Sequence, residues 1–451
     1  MAESKYPTAP VKTDKMPPGI GFIVWNEAAE RFSYYGMASI LVVFMINHMR
    51  NAQGLPDHMS DAKAEEWFHT FVSCAYFLPF VGAFLADAIF GKYLIILLLS
   101  IVYCFGHFAL ALDDTRHGLL IGLGLIALGA GGIKPCVSAN VGDQFGPANQ
   151  KLLPRVFSWF YFAINGGSAI STLLIPWLLE KYGSRVAFGV PGIAMLIATV
   201  VFWMGRKRFV HIPPAGLANY VSQFREPENL KALRNILILV PFAAMFWALW
   251  YQSSSSWIVQ AEKLNRHMFG HDWLPAQIQA VNPLFVLLML PFTSYVFYPV
   301  LDKVFRVTML RKFGMGLFAI VVAFLIVAWV QTRLDAGEQP HVGWQILAYL
   351  VLTFGEVAVS VTHLEFAYTQ APTKMKSLIM CTYLASIALG NAFTARVDRY
   401  IQNPDGSVKL PGASYYFFFI KVMLAMAVLY LFVSRFYQGK TYIQDSEPQP
   451  A

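Results

Sequence analysis

Near the start of the chain, in NEAAERFSYYGM (residues 26–37), Glu27, Glu30 and Arg31 stand at i, i+3 and i+4. That spacing puts all three on one side of an α-helix, and Tyr34 and Tyr35 extend the same face by a turn. The flanking stretches, GIGFIVW and ASILVVFMI, are greasy enough for lipid. A charged side chain at the centre of a bilayer costs ~2.5–3.5 kcal/mol on insertion scales, so these groups belong against a watery cavity or a partner. Two acids, a base and two phenols on one face can exchange protons and grip a polar solute. A second reading stays open, in which Glu30 and Arg31 neutralise each other and only pack a bundle.

Other ionisable residues sit in equally apolar frames. Lys134 precedes Pro135 in GLLIGLGLIALGAGGIKPCVSANVGDQF, where Gly118 and Gly122 have the small-xxx-small spacing of closely packed membrane helices. A buried lysine needs an anion, and an ion pair to Glu27 or Glu30 is the simplest solution; snorkelling to the membrane surface is the alternative. LVLTFGEVAVSVTHLEFAYTQAP carries Glu356, His363 and Glu365. Glu365 is expected to be an intramembrane carboxylate that titrates, Glu356 a structural, hydrogen-bonding acid, and His363 a packed or solvated histidine. His69 is expected near the outer surface, as a proton relay or as a solvated residue at a helix end.

The elements that must position these residues are membrane helices. Of 451 residues, 57% are hydrophobic and 13% charged, against about a quarter charged in soluble domains. Apolar runs of roughly 20 residues or more recur at 21–48, 67–89, 93–112, 117–141, 156–179 and 186–205, then at 232–261, 275–300, 307–331, 342–371, 377–395 and 414–436. The runs are continuous rather than alternating, which predicts helices and not a barrel. The expected fold is an all-α membrane protein of about twelve spans. Residues 1–19 are polar and proline-bearing with no apolar core, and are read as a cytoplasmic tail rather than a cleaved signal peptide. The excess of Lys and Arg in loops on the same side as both termini places those termini in the cytoplasm. The net charge of +8 is spread over short loops, which speaks for orientation in a membrane and against nucleic acid.

Residues 206–231 are basic and contain Pro213, Pro214 and Pro227. They divide the spans into a bundle at 20–205 and a second at 232–437, with a tail at 438–451. A faint echo joins the halves: GAFLADAIFGK closes the second span with Asp87 and Lys92, and YPVLDKVFR closes the eighth with Asp302 and Arg306. Each acid and base is expected to lock neighbouring helices at the cytoplasmic face. The cysteines, Cys74, Cys104, Cys136 and Cys381, fall inside spans without metal-type spacing and are read as packing residues. No nucleophile, base and orienter set stands out, so no enzymatic activity and no metal or other cofactor is expected.

Several blocks in order resemble one family. EAAERFSYYG is similar to the ExxERFxYYG signature of the proton-coupled oligopeptide transporters, a branch of the major facilitator superfamily. GGIKPCVSANVGDQF, FYFAINGGS, FWALWYQ and GEVAVSVTHLEFAYTQAPTKMKS resemble further blocks. The resemblance implies the major facilitator fold, with substrate bound between two six-helix bundles, and uptake of di- and tripeptides driven by protons as the coupling ion. It implies coupling by Glu27, Glu30 and Arg31, with Lys134 as ion-pair partner, and Glu365 facing the peptide amino terminus. Pocket contacts carry over to Tyr34, Tyr35, Tyr76, Asn165, Trp247 and Asn282, and His69 aligns with a histidine important in animal relatives. A multi-pass protein of the plasma membrane, the inner membrane in a bacterium, working as a monomer, is the implied setting.

The chain departs from the pattern at three positions. Ala38 stands where many members have an arginine, Tyr251 where they have an acid, and Tyr383 where they have a tryptophan. The first two changes remove an ion pair together, which strands no charge but leaves open how the outer gate closes. Two alternatives remain at this point: the same fold carrying another small substrate such as nitrate, and a non-transporting peptide sensor.

Overall fold

The computed structural model describes residues 6–214, 216–218, 227–370 and 376–436, without the side chains of 154, 227–229, 231–232, 364–370 and 376–380. Helices α1 (Ile20–Asn47), α2 (Asp61–Phe90), α3 (Lys92–Leu112), α4 (Arg116–Asp143), α5 (Leu153–Tyr182) and α6 (Ser184–Met204) form the first half. After a short helix α7 (Pro227–Leu237), the second half comprises α8 (Val240–Trp250), α9 (Ser256–Glu262), α10 (Pro275–Asp302), α11 (Met309–Asp335), α12 (Gly343–Gln370), α13 (Lys376–Ile401) and α14 (Ala413–Phe436). Among the described residues ten of these helices are long and apolar enough to cross a membrane. The broken pair α8–α9 and the less apolar α13 occupy the remaining expected spans. The second span starts earlier than hydropathy suggests, because its first turns carry Asp61, Lys63, Glu65 and Glu66.

The seventh span differs from the single helix expected. It breaks into a 3₁₀ turn at Tyr251–Ser254, and Ser255 leaves helical geometry at φ −134, ψ −95. The run Ser253–Ser256 supplies hydroxyls that compete with the helical ladder. Carbonyls freed inside a membrane need other donors, and neighbouring helices supply them. Tyr349 Oη donates to Ser253 O at the break at 2.8 Å, and just past it Tyr416 Oη reaches Ser256 O at 3.1 Å and Gln345 Nε2 reaches Trp257 O at 2.8 Å, which clamps the first turn of α9. Tyr349→Phe should lower stability by about 1 kcal/mol, read as a drop in the thermal unfolding midpoint of the purified protein. The loop after α9 also gains an unexpected hairpin, His267–Met268 against His271–Asp272. Phe269 (φ 57) and Gly270 (φ 74) form its turn, the double positive φ that matches the twist of a two-residue hairpin.

Helix α1 packs on α5 and α6, and α3 on α4 and α6; in the second half α8 packs on α13 and α14, and α11 on α12 and α14. Each half is thus a bundle, and the buried apolar side chains continue from one half into the other as one cluster. The halves meet where α2 lies along α13 and α5 along α10. Close approach depends on small residues. A Cβ on Gly390 of α13 would collide with the carbonyl oxygen of Ala244 on α8. Gly390→Ala is expected to cost ~1–3 kcal/mol, and the loss of monodisperse protein on heating would measure it.

Candidate functional site

The polar face of α1 turns inward. Glu27 is 3% and Glu30 1% exposed. Arg31 Nε lies 2.7 Å from Glu27 Oε1 and 3.2 Å from Glu30 Oε2, so one guanidinium serves both acids. Glu30 Oε1 is buried with no hydrogen-bond partner among the described residues. That oxygen keeps acceptor capacity for a proton.

The expected ion pair of Lys134 with α1 is not formed. Among the described side chains no carboxylate oxygen lies within 4.0 Å of its ammonium. Instead Nζ sits 3.9 Å from the ring centre of Tyr34 and 4.0 Å from that of Tyr76. Two facing rings hold a desolvated cation with ~2 kcal/mol or more. Lys134 is 8% exposed, which excludes snorkelling. The physical reason is register: Tyr34, one turn beyond Glu30 on α1, reaches α4 first. Pro135 lies inside the continuous helix α4, where it removes one ladder bond just after the lysine.

Beside this cluster the two bundles enclose a cavity of about 300 Å³, at the lower end of small-molecule sites. From the first bundle Tyr34, Tyr35, Ala38, Tyr161 and Asn165 line it; from the second, Trp250, Tyr251, Asn282, Glu356 and Tyr383 do. Glu356 is better placed than expected of a purely structural acid. Its Oε2 accepts from Asn282 Nδ2 at 2.8 Å and from Trp250 Nε1 at 3.0 Å, and Asn282 also donates to Thr353 Oγ1 at 3.0 Å. The broken helix explains this: α8 ends at Trp250, which frees its indole to reach α12.

Trp247, expected in the pocket, lies behind its wall. It is 3% exposed and packs against Trp250, Tyr251 and Tyr383 at 5.5, 6.2 and 5.8 Å between ring centres. The indole three residues on takes its place, a consequence of the helix ending there. Tyr76 faces Tyr251 at 5.8 Å as well as Lys134. Sequence reasoning missed Tyr161, although it stands four residues before Asn165 on the same helix face; Asn165 Nδ2 donates to its carbonyl at 2.9 Å. Glu365 lies nine residues after Glu356 on α12, about 13.5 Å along the axis, and its side chain is outside the described residues. His363 is buried at 1% exposure, its ring 5.3 Å from that of Tyr383, which makes it a packed histidine.

The outer half is closed without the arginine–acid pair. His69 is fully buried rather than solvated. Its Nδ1 lies 2.7 Å from Asn391 Oδ1 and its Nε2 2.9 Å from Ser255 Oγ. A neutral imidazole satisfies both, donating from Nδ1 and accepting at Nε2. Ser73 Oγ donates to Ala388 O at 2.9 Å, Gln277 Nε2 to Leu173 O at 2.8 Å and Gln402 Nε2 to Glu66 Oε2 at 3.1 Å. Among the described residues hydrogen bonds, one of them to the Glu66 carboxylate, and no ion pair from one bundle to the other, join the bundles there. At the opposite end Lys92 Nζ pairs with Asp143 Oδ2 at 2.7 Å, not with Asp87. Gly91, at φ 81, turns the chain before α3 and aims the lysine at α4. Asp302, instead of pairing with Arg306, accepts from Val307 N at 2.6 Å.

A sequence profile described as the POT family matches residues 93–225 and 215–413. The chain belongs to the POT family. Solute carrier family 15 member 2 of Homo sapiens is 35% identical over 79% of this chain and 55% of its own length. Peptide transporter family 1 of Drosophila melanogaster is 35% identical over 71% of this chain and 48% of its own. The chain spans about half the length of the curated relatives it matches. Among solved structures, an auto-inhibited POT family peptide transporter superposes with a TM-score of 0.85 at 34% identity, covering 95% of this chain and 99% of that one. A proton dependent oligopeptide family transporter gives 0.77 at 36% identity, covering 91% and 100%. The POT fold, a multi-pass membrane architecture, is thereby established for this chain, and the cavity lies between its two bundles as in the substrate position of major facilitator proteins.

Proposed function

We propose that this POT family chain is a symporter that imports di- and tripeptides with protons by alternating access. The observation that carries the reading is the burial of Glu27, Glu30 and Lys134, with Arg31 paired to both acids, beside a cavity at the junction of the two bundles. Variable peptides share only their backbone amides and two charged ends. Aromatic walls with a few fixed polar groups suit them all. In this reading Glu356, held by Asn282 and Trp250, meets the peptide amino terminus; Arg31 and Lys134 receive its carboxylate. Tyr34, Tyr35, Tyr161, Asn165 and Tyr383 contact what lies between. A proton on Glu30 leaves Arg31 held by Glu27 alone, and the loosened guanidinium turns to the substrate.

The two bundles, 20–205 and 232–437, are the units that rock. Protons are the coupling ion, no enzymatic step or other cofactor enters, a monomer suffices, and the setting is a plasma membrane. Glu365 remains a candidate second titrating group. Proteoliposomes with an alkaline lumen should accumulate labelled dialanine, competed by di- and tripeptides and not by nitrate. Competition by nitrate alone, or binding without counterflow, would replace this reading with an anion carrier or a sensor. His69→Phe should leave Asn391 and Ser255 unpaired at ~1–3 kcal/mol and raise the outward-open fraction about tenfold. Spin-label distances between positions 53 and 405, in the outer loops, would report it.

A further inference from the structure

A second concavity, which shares no lining residue with the central cavity, lies on the flank of the second bundle. It encloses about 880 Å³ between the cytoplasmic end of α10, the first half of α11, α12 and the end of α14. Its two ends differ in chemistry. Toward the cytoplasm Arg311 and Arg435 line it; toward the membrane interior Phe318, Val322, Val351 and Phe354 do. No aspartate or glutamate is among its lining residues. The helix ends that bring the arginines together are tied by Tyr430, whose hydroxyl donates to Leu310 O at 2.7 Å. Gly314 makes the floor, where Tyr430 ring atoms lie 3.1 Å from where a Cβ would stand.

Arg311 spends one N–H on the carbonyl of Arg306. Arg435 is exposed and has no ion-pair partner among the described residues. The groove therefore presents uncompensated positive charge at the level of the headgroups. Along α11 it runs from Thr308 to Val322, fourteen residues or about 21 Å of helix. That is half of a bilayer ~40–45 Å thick including its headgroups. Length, polarity gradient and charge all match one lipid of one leaflet.

We propose that this groove binds a glycerophospholipid with an anionic headgroup from the cytoplasmic leaflet, its phosphate between Arg311 and Arg435 and an acyl chain along α11. Basic pockets between membrane helices on the cytoplasmic side hold such headgroups by charge, and the apolar floor distinguishes a lipid from a free anion.

The test uses full-length protein in mild detergent, offered phosphatidylglycerol and phosphatidylcholine with identical acyl chains and read by native mass spectrometry. Wild type should retain phosphatidylglycerol preferentially. Arg311→Gln with Arg435→Gln should cut that preference about tenfold, whereas Arg333→Gln, which removes a charge at the outer end, should leave it unchanged. Met315→Trp, which fills the apolar part, should lower retention of both lipids. Equal preference in wild type and the double arginine variant overturns the proposal. So does displacement of the bound lipid by excess inorganic phosphate, which would assign the arginines to a soluble anion. The readout does not involve transport, so its failure leaves the symporter reading standing, and the reverse also holds.

Discussion

Proteoliposomes carrying Glu30→Gln will equilibrate dialanine but not concentrate it. One pH unit across the membrane stores 1.36 kcal/mol per proton, so a symporter coupled to a single proton reaches about a tenfold concentration ratio, and more with further protons. Glutamine keeps the shape of Glu30 but cannot take up or release a proton. Its amide can still face Arg31, which lies 3.2 Å from the carboxylate now. The expected result is a concentration ratio of one under a pH gradient, with peptide counterflow retained and the folded state intact. Lys134→Ala should abolish driven uptake too, for a different reason: it removes the cation between Tyr34 and Tyr76 and leaves two rings facing a gap. Full pH-driven accumulation in either variant would remove the buried cluster from the coupling machinery.

The second large effect is expected at Glu356. Truncation to alanine takes the acceptor from the indole N–H of Trp250 and from one N–H of Asn282, whose amide keeps its bond to Thr353. Each buried donor left without a partner costs ~1–3 kcal/mol, and the counter-charge for a peptide amino terminus disappears with it. Affinity for dialanine should fall roughly tenfold to a hundredfold, measured by competition binding, while N-acetylated dipeptides, which lack the ammonium, should lose far less. Glu356→Gln separates brace from counter-ion. It preserves the hydrogen-bonded shape at about half the strength of charge-assisted bonds, so stability should be nearly kept while ammonium recognition is lost. Unchanged affinity in both variants would reduce Glu356 to a structural tie between α12, α10 and α8.

Much of this architecture was legible from local pattern. A membrane helix must be continuous, apolar and about 20 residues long, constraints that act on adjacent residues, so every expected span except the broken seventh reappears as one helical segment. The inward turn of Glu27, Glu30 and Arg31 follows from the same rule, since lipid will not solvate charge. The sequence suggested Arg31 paired with Glu30, and the structure adds Glu27, one turn away at i, i+4, at 2.7 Å.

What the linear chain could not specify is which neighbour answers each buried group. Lys134 was expected to meet a carboxylate and meets two aromatic rings; Lys92 reaches Asp143 rather than Asp87; Trp250, not Trp247, faces the cavity. Each outcome turns on the relative height and rotation of helices far apart in sequence, and a helix shifted by one residue rotates every side chain by about 100°. The break at Tyr251–Ser254 is decided the same way, because its freed Ser253 carbonyl is tolerable only where Tyr349 arrives from another helix to bond it, with Tyr416 and Gln345 holding the first turn of α9 beyond. Hydropathy and periodicity belong to single segments and can be read one at a time. Partnership between segments is a property of their packing, and only the folded arrangement holds it.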